Sequence, residues 1–218
     1  MGSFNLNKGE RFSLTKAAPG LARVRIGLGW DPNEKPGGPA FDLDVSAFAI
    51  AVNHKIVSDS HFVFYNQINV VGRWVFDKEY PTLKRPISDD KAIIGAIDDP
   101  DGTKSDGDDD EDMIIDLPKV SPLVEQIIIC ATICKYPHDR NSDRRTLQLG
   151  FGQVGDCYIR IVDMNNGQEL ARYALGEKFS DEDAVEFGRL YRVSGAWEFE
   201  AMGRGSQGSL PALVEFYT

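Results

Sequence analysis

Residues 22–30, "ARVRIGLGW", decide the fold class of this chain. Within them Val24, Ile26 and Leu28 alternate with polar or small residues, so that the apolar side chains fall on one face of a strand. Arg23 and Arg25 fall on the opposite face. A half-buried antiparallel strand requires this alternation, and the stretch therefore predicts a sheet with one face packed against a core.

Short apolar runs recur along the chain and are separated by Gly, Pro, Asn and Asp, which is typical of an all-β protein. We predict further strands in "RFSL" (11–14), "DLDVSAFAIAV" (42–52), "HFVFYN" (61–66), "AIIGAI" (92–97), "MIIDL" (113–117), "QIIICATICKY" (126–136), "CYIRIVDM" (157–164) and "ELARYAL" (169–175). Asn165, Asn166 and Gly167 predict a tight hairpin between the last two, because Asn and Gly tolerate positive φ. The pattern predicts a mainly β fold, a two-sheet antiparallel β-sandwich with a few short helices, in one domain spanning residues 1–218. The absence of alternating strands and helices argues against a doubly wound nucleotide-binding fold.

Helical patterns are few. Residues 180–192 predict a short helix with Ser180 as its N-cap, and residues 209–217 predict another with Ser209 as its N-cap. Residues 118–126 are expected to hold a single turn. Residues 67–91 are predicted to form a long loop that packs its aromatic side chains on the sandwich, with a partner-binding or anion-binding surface as the alternative.

The charge balance indicates which partners suit this chain. Its 218 residues include 24 Lys and Arg against 34 Asp and Glu, a formal net charge of −10. Such a chain repels nucleic acid and anionic membrane surfaces unless a cation intervenes, so cations are its natural partners. The sequence has no apolar run long enough to span a membrane and no signal peptide pattern, which predicts a cytoplasmic protein with at most peripheral membrane contact.

The three cysteines, Cys130, Cys134 and Cys157, all lie in apolar segments. The chain has no paired cysteine framework, and this favours a reducing compartment. No second Cys/His pair with zinc spacing accompanies them. We therefore predict that they act as small buried hydrophobic residues, with free thiolate chemistry as the alternative.

Residues 98–116, "DDPDGTKSDGDDDEDMIID", concentrate carboxylates in one stretch. Two carboxylates about 5 Å apart repel by about 1 kcal/mol in water and by more at a lower dielectric, so a fixed loop of this kind needs a counter-ion. Calcium suits it, since calcium takes six to eight oxygen ligands from carboxylates, amides and carbonyls. The stretch is not an EF-hand, because Leu117 stands where the last Glu of such a loop would be. From the residues alone, a divalent-cation loop and a solvated acidic insertion both stay open.

Other carboxylates lie where predicted strands begin or end. Asp31 ends one strand, while Asp42 and Asp44 share one face of the next, opposite Leu43. Asn66 follows a third strand. An amide oxygen beside carboxylates is typical of hard-cation sites, and these residues extend the candidate cation site beyond the acidic loop.

Several uncommon motifs occur in a fixed order: "IGLGWD" (26–31), "FDLDVSAF" (41–48), "FVFYN" (62–66), an Asp/Gly loop ending in "DDE" before "DL" (109–117), "FGQVGDCYIRIVD" (151–163) and "GQELARYALGEKFSDEDAVEFGRLYR" (167–192). Together they resemble the TerD-type tellurium-resistance and stress-response family. The resemblance covers nearly the whole chain, including the closing "GSLPALVEFY" (208–217). It implies a β-sandwich that binds calcium through acidic loops at one end, without an established enzymatic activity, in resistance to tellurite and other stresses.

By position, the resemblance implies a set of metal ligands: Asp31, Asp42, Asp44, Asn66, Asp98, Asp99, Asp106, Asp108, Asp109, Asp110 and Glu111. The acidic loop is longer than the common form of the family, which leaves the register of Asp106 and Asp108 open. Residues 67–91 are also longer than usual and read as an insertion.

No phosphate-binding loop, nucleophile elbow or metalloprotease motif is present in the sequence. We therefore expect a calcium-binding, non-catalytic module whose partners are calcium ions and other proteins of a stress-response assembly, with no nucleic acid. Two alternatives stay open. One is a metal-dependent enzyme, or a binder of a small metabolite or nucleotide, in which the cation orients a phosphorylated ligand; the other is an acidic structural protein with no specific ion.

Overall fold

Within the part of the chain that the structure describes, the strands form two six-stranded sheets and one two-stranded sheet. The computed structural model describes residues 4–5, 7–31, 41–103, 109–135, 148–175 and 178–218. The strands are β1 (Phe4–Asn5), β2 (Arg11–Ser13), β3 (Arg23–Asp31), β4 (Leu43–Ile50), β5 (Phe62–Val63), β6 (Trp74–Phe76), β7 (Lys84–Pro86), β8 (Ile93–Ile94), β9 (Glu111–Asp116), β10 (Gln126–Ile133), β11 (Gly155–Asp163), β12 (Glu169–Ala174), β13 (Ala184–Val193) and β14 (Ala196–Ser206). The helices are α1 (Leu14–Ala17), α2 (Gln67–Val70) and α3 (Ser209–Tyr217), and short 3-10 turns cover Asp59–His61, Leu117–Lys119 and Phe151–Gln153.

The first sheet has the order β1-β12-β11-β3-β9-β8 and the second the order β2-β14-β13-β10-β4-β5. Neighbouring strands are antiparallel except for β1 and β12, which pair in parallel. The two sheets form a sandwich-like arrangement, and the predicted mainly β fold is confirmed. Among the helices of the described residues, none has the length and apolar character that a membrane crossing requires.

The main core lies between the two sheets. Val24, Ile26 and Leu28 of β3 are fully buried there, as their alternation predicts. From the second sheet, Leu43 and Val45 of β4 enter the same core. The alternating apolar residues of both strands therefore hold the two sheets together.

A second, smaller core covers the outer face of the second sheet. Phe48 and Ile50 of β4 pack there with Leu213 and Tyr217 of α3. Because α3 covers this face, β4 is buried along its whole length. That burial explains why its sequence is a continuous apolar run with only small or acidic interruptions.

The helix predicted over residues 180–192 is wrong, because Ala184–Val193 forms strand β13 between β10 and β14. Pairing on both edges overrides the local helical pattern. Gly188 is needed in this strand, since a Cβ at that position would lie 2.2 Å from the ring of Phe199. Strand β14 was not predicted; it follows β13 through a tight hairpin turn in which Ser194 and Gly195 adopt positive φ values.

The C-terminal helix is confirmed as α3, and a 3-10 turn over Leu117–Lys119 overlaps the single turn expected from residue 118 onward. Ser209 is not the N-cap, which is Gly208. Instead the backbone N–H of Ser209 donates to Oδ1 of Asp183 at 2.7 Å, and its hydroxyl donates to the carbonyl of Ile133 at 2.6 Å. These contacts fix the start of α3 against the second sheet.

Residues 67–91 contain α2, β6 and β7 rather than an irregular loop. The expectation that their aromatic side chains pack on the sandwich is wrong, because Phe76 and Tyr80 are 51% and 60% exposed. The segment is anchored by the buried Arg85, whose Nε donates to the carbonyl of Gly95 at 2.7 Å and whose Nη2 lies 3.0 Å from Oδ2 of Asp112. Arg85 thereby ties the segment to β9.

Candidate metal centre

The structure gathers three carboxylates from three separate segments. Asp44 lies on β4, Asp98 follows β8, and Glu111 begins β9. One oxygen from each lies within 4.8 Å of the others. Asp44 and Glu111 are each 2% exposed, and Asp98 is partly buried. We call these three residues the carboxylate triad.

Glu111 connects the two sheets of the sandwich. It belongs to the first sheet, yet its Oε2 accepts a hydrogen bond from the backbone N–H of Val45, in the second sheet, at 2.9 Å. Its Oε1 accepts from the backbone N–H of the fully buried Asp99 at 3.4 Å. Backbone donors therefore hold this side chain between the sheets.

The electrostatics of the triad disfavour the presence of several negative charges. Burial, with the neighbouring charges of Asp42 and Asp98, raises the pKa of Asp44 well above its ordinary value. Burial and the charge of Asp44 likewise raise the pKa of Glu111, although the hydrogen bond from Val45 acts in the opposite direction. Oδ1 of Asp44 is buried and has no hydrogen-bond partner among the residues that the structure describes. The triad is therefore a place where a proton or a cation would be bound.

The donor set of the triad fits a hard cation. Calcium binds oxygen ligands at 2.3–2.6 Å, so ligand oxygens on opposite sides of the ion lie about 5 Å apart and adjacent ones lie closer. The triad oxygens lie within 4.8 Å of one another, close enough for one ion to contact all three. Three carboxylates, with carbonyls or water in the remaining positions, match the coordination that calcium takes in proteins.

A second group of three possible ligands shares Asp44. Asp42, Asp44 and Cys134 are all buried, and one ligand atom from each lies within 4.8 Å of the others. Asp44 of β4 and Asp42, directly before that strand, lie on one side of the chain, opposite Leu43 in the main core, as predicted. The backbone N–H of Cys134, directly after β10, donates to the carbonyl of Asp42 at 2.7 Å.

Burial of all three cysteines, predicted from their apolar surroundings, is confirmed. The proximity of Cys134 to Asp42 and Asp44 was not predicted, because ligand spacing along the chain does not indicate it. β4 and β10 are far apart in sequence but adjacent in the second sheet, where Asp44 pairs with Thr132. A local spacing rule carries no signal for such a group.

Asp109 is engaged on the outer face of the first sheet. Its Oδ1 lies 2.7 Å from Nε of Arg160, and its Oδ2 lies 3.1 Å from Nη1 of Arg25. The hydroxyl of Tyr158 donates to Oδ1 at 3.2 Å. Gly27 makes room for this carboxylate, because a Cβ on Gly27 would lie 2.1 Å from Cγ of Asp109. Arginines thus compensate the charge of Asp109, which is not among the carboxylates gathered around Asp44.

The remaining predicted ligands lie in several places. Oδ2 of Asp110 accepts from the backbone N–H of Trp30 at 2.9 Å, and Oδ1 of Asn66 accepts from Nδ2 of Asn69 at 2.7 Å. Asp31 is exposed at the end of β3. The structure thus brings together Asp42, Asp44, Asp98, Glu111 and the backbone of Asp99, whereas Asp31, Asn66, Asp109 and Asp110 have the contacts given above, and Asp106 and Asp108 lie outside the described residues.

A pocket of about 830 Å³ opens beside Asp44, between α2, α3 and the segment that follows β5. Its lining is mainly apolar and includes Phe62, Phe64, Leu210 and Val214, with Asp44 and Cys134 among its polar members. Tyr65 also lines it, and burial together with the neighbouring Cys134 and Asp44 raises the pKa of its phenol. The pocket therefore offers an apolar volume that reaches the acidic groups.

Comparison with known proteins gives a consistent result over the full length. The TerD domain profile matches residues 2–217. The chain is 39% identical over 215 residues to the tellurium resistance protein TerD of Serratia marcescens, covering 99% of this chain and 97% of that protein. It is 35% identical over 215 residues to general stress protein 16U of Bacillus subtilis (strain 168), again covering 99% and 97%.

The fold is also found in a solved structure. The crystal structure of a homologue of telluride resistance protein (TerD) from Streptomyces coelicolor A3(2) matches with a TM-score of 0.63 and 23% sequence identity. The match covers 89% of this chain and 96% of that one. At this identity the likeness concerns the fold.

Proposed function

Because this chain belongs to the TerD domain family, with relatives named for tellurium resistance and general stress, we propose that it is a calcium-binding, non-catalytic module of a cytoplasmic stress-response system that includes tellurite resistance. The carboxylate triad of Asp44, Asp98 and Glu111 is the observation that carries this proposal. Three acidic side chains meet there, one from each sheet and one from the loop after β8, and Asp44 and Glu111 are almost fully buried.

The charge of the triad explains the preference for a divalent ion. Buried like charges repel strongly, and each raised pKa reflects that cost. A divalent cation removes most of the repulsion and also offers a partner to Oδ1 of Asp44. Calcium fits better than magnesium, because magnesium demands a tight octahedron at 2.0–2.1 Å and retains its waters.

Calcium bound by the triad would link the two sheets at one end of the sandwich. Asp44 belongs to the second sheet and Glu111 to the first, while Asp98 lies in the loop that leads into the acidic stretch. The ion would thus hold the start of this loop against the core. The chain carries a net charge of −10, so a bound cation would also make contact with acidic partner proteins or a membrane surface less unfavourable.

Calcium titration followed by thermal melting tests this proposal. At calcium concentrations 100 times the dissociation constant, a ligand that binds only the folded state stabilises it by about 2.7 kcal/mol. We expect a clear rise in the melting temperature with calcium, a smaller one with magnesium, and none with calcium in Asp44→Asn. Asp181→Asn is the matched control, because Asp181 is exposed, and it should keep the full rise. An unchanged melting temperature in the wild-type protein would overturn the proposal.

The pocket beside Asp44 favours one second candidate, a small-molecule binder that uses the cation. Its apolar walls would hold the body of such a molecule, and the cation would hold its polar end. Mass spectrometry of material released on denaturation tests this candidate. A small molecule that copurifies with the wild-type protein and is lost when calcium is chelated would support it. Purification without any such molecule would leave the non-catalytic module as the proposal.

A further inference from the structure

We propose that Asp42, Asp44 and Cys134 form a second metal site, which takes a borderline divalent ion such as Zn²⁺ beside the pocket. This site shares Asp44 with the carboxylate triad but differs from it in ligand chemistry. The three side chains each place one ligand atom within 4.8 Å of the other two. We call these three residues the Asp–Asp–Cys site.

The backbone holds this group in place. β4 and β10 are neighbouring strands, and their pairing runs from Gln126 to Ile133 without a shift in register. The N–H of Cys134 continues that pairing, since it donates to the carbonyl of Asp42 at 2.7 Å. All three ligands therefore stand on adjacent, paired backbone rather than on separate loops, which is how precise metal sites are supported.

A second observation points to a bound ion. Asp44 is 2% exposed, yet its Oδ1 has no hydrogen-bond partner within the described part of the chain. A buried carboxylate oxygen without a donor costs free energy unless a cation or proton meets it. Lys135, the basic residue next to Cys134, does not serve this purpose, because its Nζ forms an ion pair with Asp183.

The donor set selects the kind of ion. Zinc binds cysteine sulfur at about 2.3 Å and carboxylate oxygen at about 2.0–2.2 Å, whereas calcium takes oxygen ligands. Tetrahedral coordination at those lengths brings ligand atoms to about 3.5 Å from each other. The three ligand atoms lie within 4.8 Å of one another in the absence of an ion.

The pocket supplies the remaining coordination position. Zinc sites that bind substrate or water keep three protein ligands and an open fourth position. Asp44 and Cys134 both line the pocket of about 830 Å³, so the open position of the ion would face it. A water molecule, or a small apolar molecule with a metal-binding end, would fill that position. Binding of the ion converts the thiol of Cys134 to a thiolate and releases its proton to solvent.

Cobalt binding tests this site through a signal that only a thiolate gives. The full-length protein is treated with a chelator, kept reduced with a phosphine, and titrated with Co²⁺. We expect a near-ultraviolet sulfur-to-cobalt charge-transfer band together with the visible bands of tetrahedral cobalt. Stoichiometric Zn²⁺ should abolish them, because zinc binds such sites more tightly than cobalt. A wild-type protein without the charge-transfer band would overturn the proposal.

Variants separate this site from the carboxylate triad. Cys134→Ala should lose the charge-transfer band and bind zinc more than about 100-fold more weakly, since even residues behind the ligands commonly cost 10–100-fold. Cys157→Ala is the matched control, a buried cysteine of the main core, and should keep the band. Asp98→Asn should also keep it while losing the stabilisation by calcium.

If Cys134→Ala keeps the sulfur-to-cobalt charge-transfer band, the proposal that Cys134 is a metal ligand is wrong. Circular dichroism checks that this variant folds; if it does not, Asp42→Asn takes its place and should weaken zinc binding while leaving the thiol present. The calcium melting experiment is read separately. A rise in melting temperature with calcium but no cobalt band would contradict only the proposed Asp–Asp–Cys site. A cobalt band without a rise in melting temperature with calcium would contradict only the proposed calcium site at the carboxylate triad.

Discussion

Asp109 and Glu111 are two residues apart in the same acidic stretch, and both carboxylates are buried: the side chain of Asp109 is 1% exposed, and Glu111 as a whole residue is 2% exposed. Asp109 lies between Arg25 and Arg160, so its charge is compensated. Glu111 lies beside Asp44 and Asp98, so its neighbours carry charge of the same sign. The density of acidic residues therefore does not identify a metal site; the charges that the fold brings to each carboxylate do.

Strand geometry produces this difference. On β3, Arg25 points to the outer face of the first sheet and Leu28 to the core. Glu111 pairs with Leu28 and faces inward, whereas Asp109 precedes β9 and places its carboxylate over Gly27 on the outer face. Asp109 and Glu111, only two residues apart, therefore lie on opposite faces of the first sheet. Asp109 belongs to a structural ion-pair network and Glu111 to a candidate cation site.

The largest expected effect follows from removing a compensating charge. Arg160→Ala leaves the buried Asp109 with only part of its partners, and breaking a buried ion pair commonly costs 3–5 kcal/mol. Because Arg25 remains, we expect a loss of about 3 kcal/mol in the free energy of unfolding, measured by urea denaturation. Arg172→Ala is the matched control; its more exposed pair with Glu169 should contribute at most about 1 kcal/mol. Equal losses in the two variants would contradict the claim that the ion pair with Arg160 stabilises the buried Asp109.

A smaller effect is expected from filling the space beneath Asp109. Gly27→Ala places a Cβ 2.1 Å from Cγ of Asp109 and should cost about 2 kcal/mol, in the range of overpacked sites. The same substitution in an Asp109→Ala background should cost much less, since the clash is gone. A double-mutant cycle measures this coupling, and additive losses would show that Gly27 does not serve Asp109.

The carboxylate triad predicts a pH dependence of the calcium-free protein. The pKa values of Asp44 and Glu111 are raised by burial and like charges above their ordinary values of 3.8 and 4.5, so the folded state holds protons that the unfolded state has released. Their contribution to stability is complete below those ordinary values and is lost as pH rises through the raised ones. With calcium chelated, the free energy of unfolding should fall by up to about 1.4 kcal/mol per pH unit for each group. Asp90 and Glu200 have lowered pKa values and act in the opposite direction, so the wild-type protein is compared with Asp44→Asn. The stability of Asp44→Asn relative to the wild-type protein should increase as pH rises above the ordinary carboxyl pKa values, and a constant difference between the two would contradict the account.

The smallest effect is the cost of neutralising Asp44 when calcium is absent. Because Asp44 faces other carboxylates rather than arginines, Asp44→Asn should change the calcium-free stability by no more than about 0.5 kcal/mol, or increase it. Asp109→Asn, which weakens two ion pairs, should destabilise the protein under the same conditions. Urea denaturation with a chelator present compares the two variants, and a larger loss in Asp44→Asn would reverse the comparison.

Strand alternation predicted much of the fold from the sequence. Val24, Ile26 and Leu28 fixed the core face of β3, and Asp44 of β4 was correctly placed on the same side of the chain as Asp42, which directly precedes that strand. β13 was missed because its helix-like pattern is overridden by pairing on both edges, a long-range effect.

The site was predictable in part, for a similar reason. The resemblance supplied Asp44, Asp98 and Glu111 as ligands within a larger set, but no sequence rule separated them from Asp109. That distinction depends on Arg160, which lies 51 residues further along the chain and reaches Asp109 only through the pairing of β11 with β3.

Calorimetric titration of calcium into the wild-type protein, Asp44→Asn and Asp109→Asn tests the central claim most directly. All three are measured at a temperature where circular dichroism shows that each is folded. Calcium binding should be present in the wild-type protein, retained in Asp109→Asn and lost in Asp44→Asn. Loss of binding in Asp109→Asn with retention in Asp44→Asn would contradict the account.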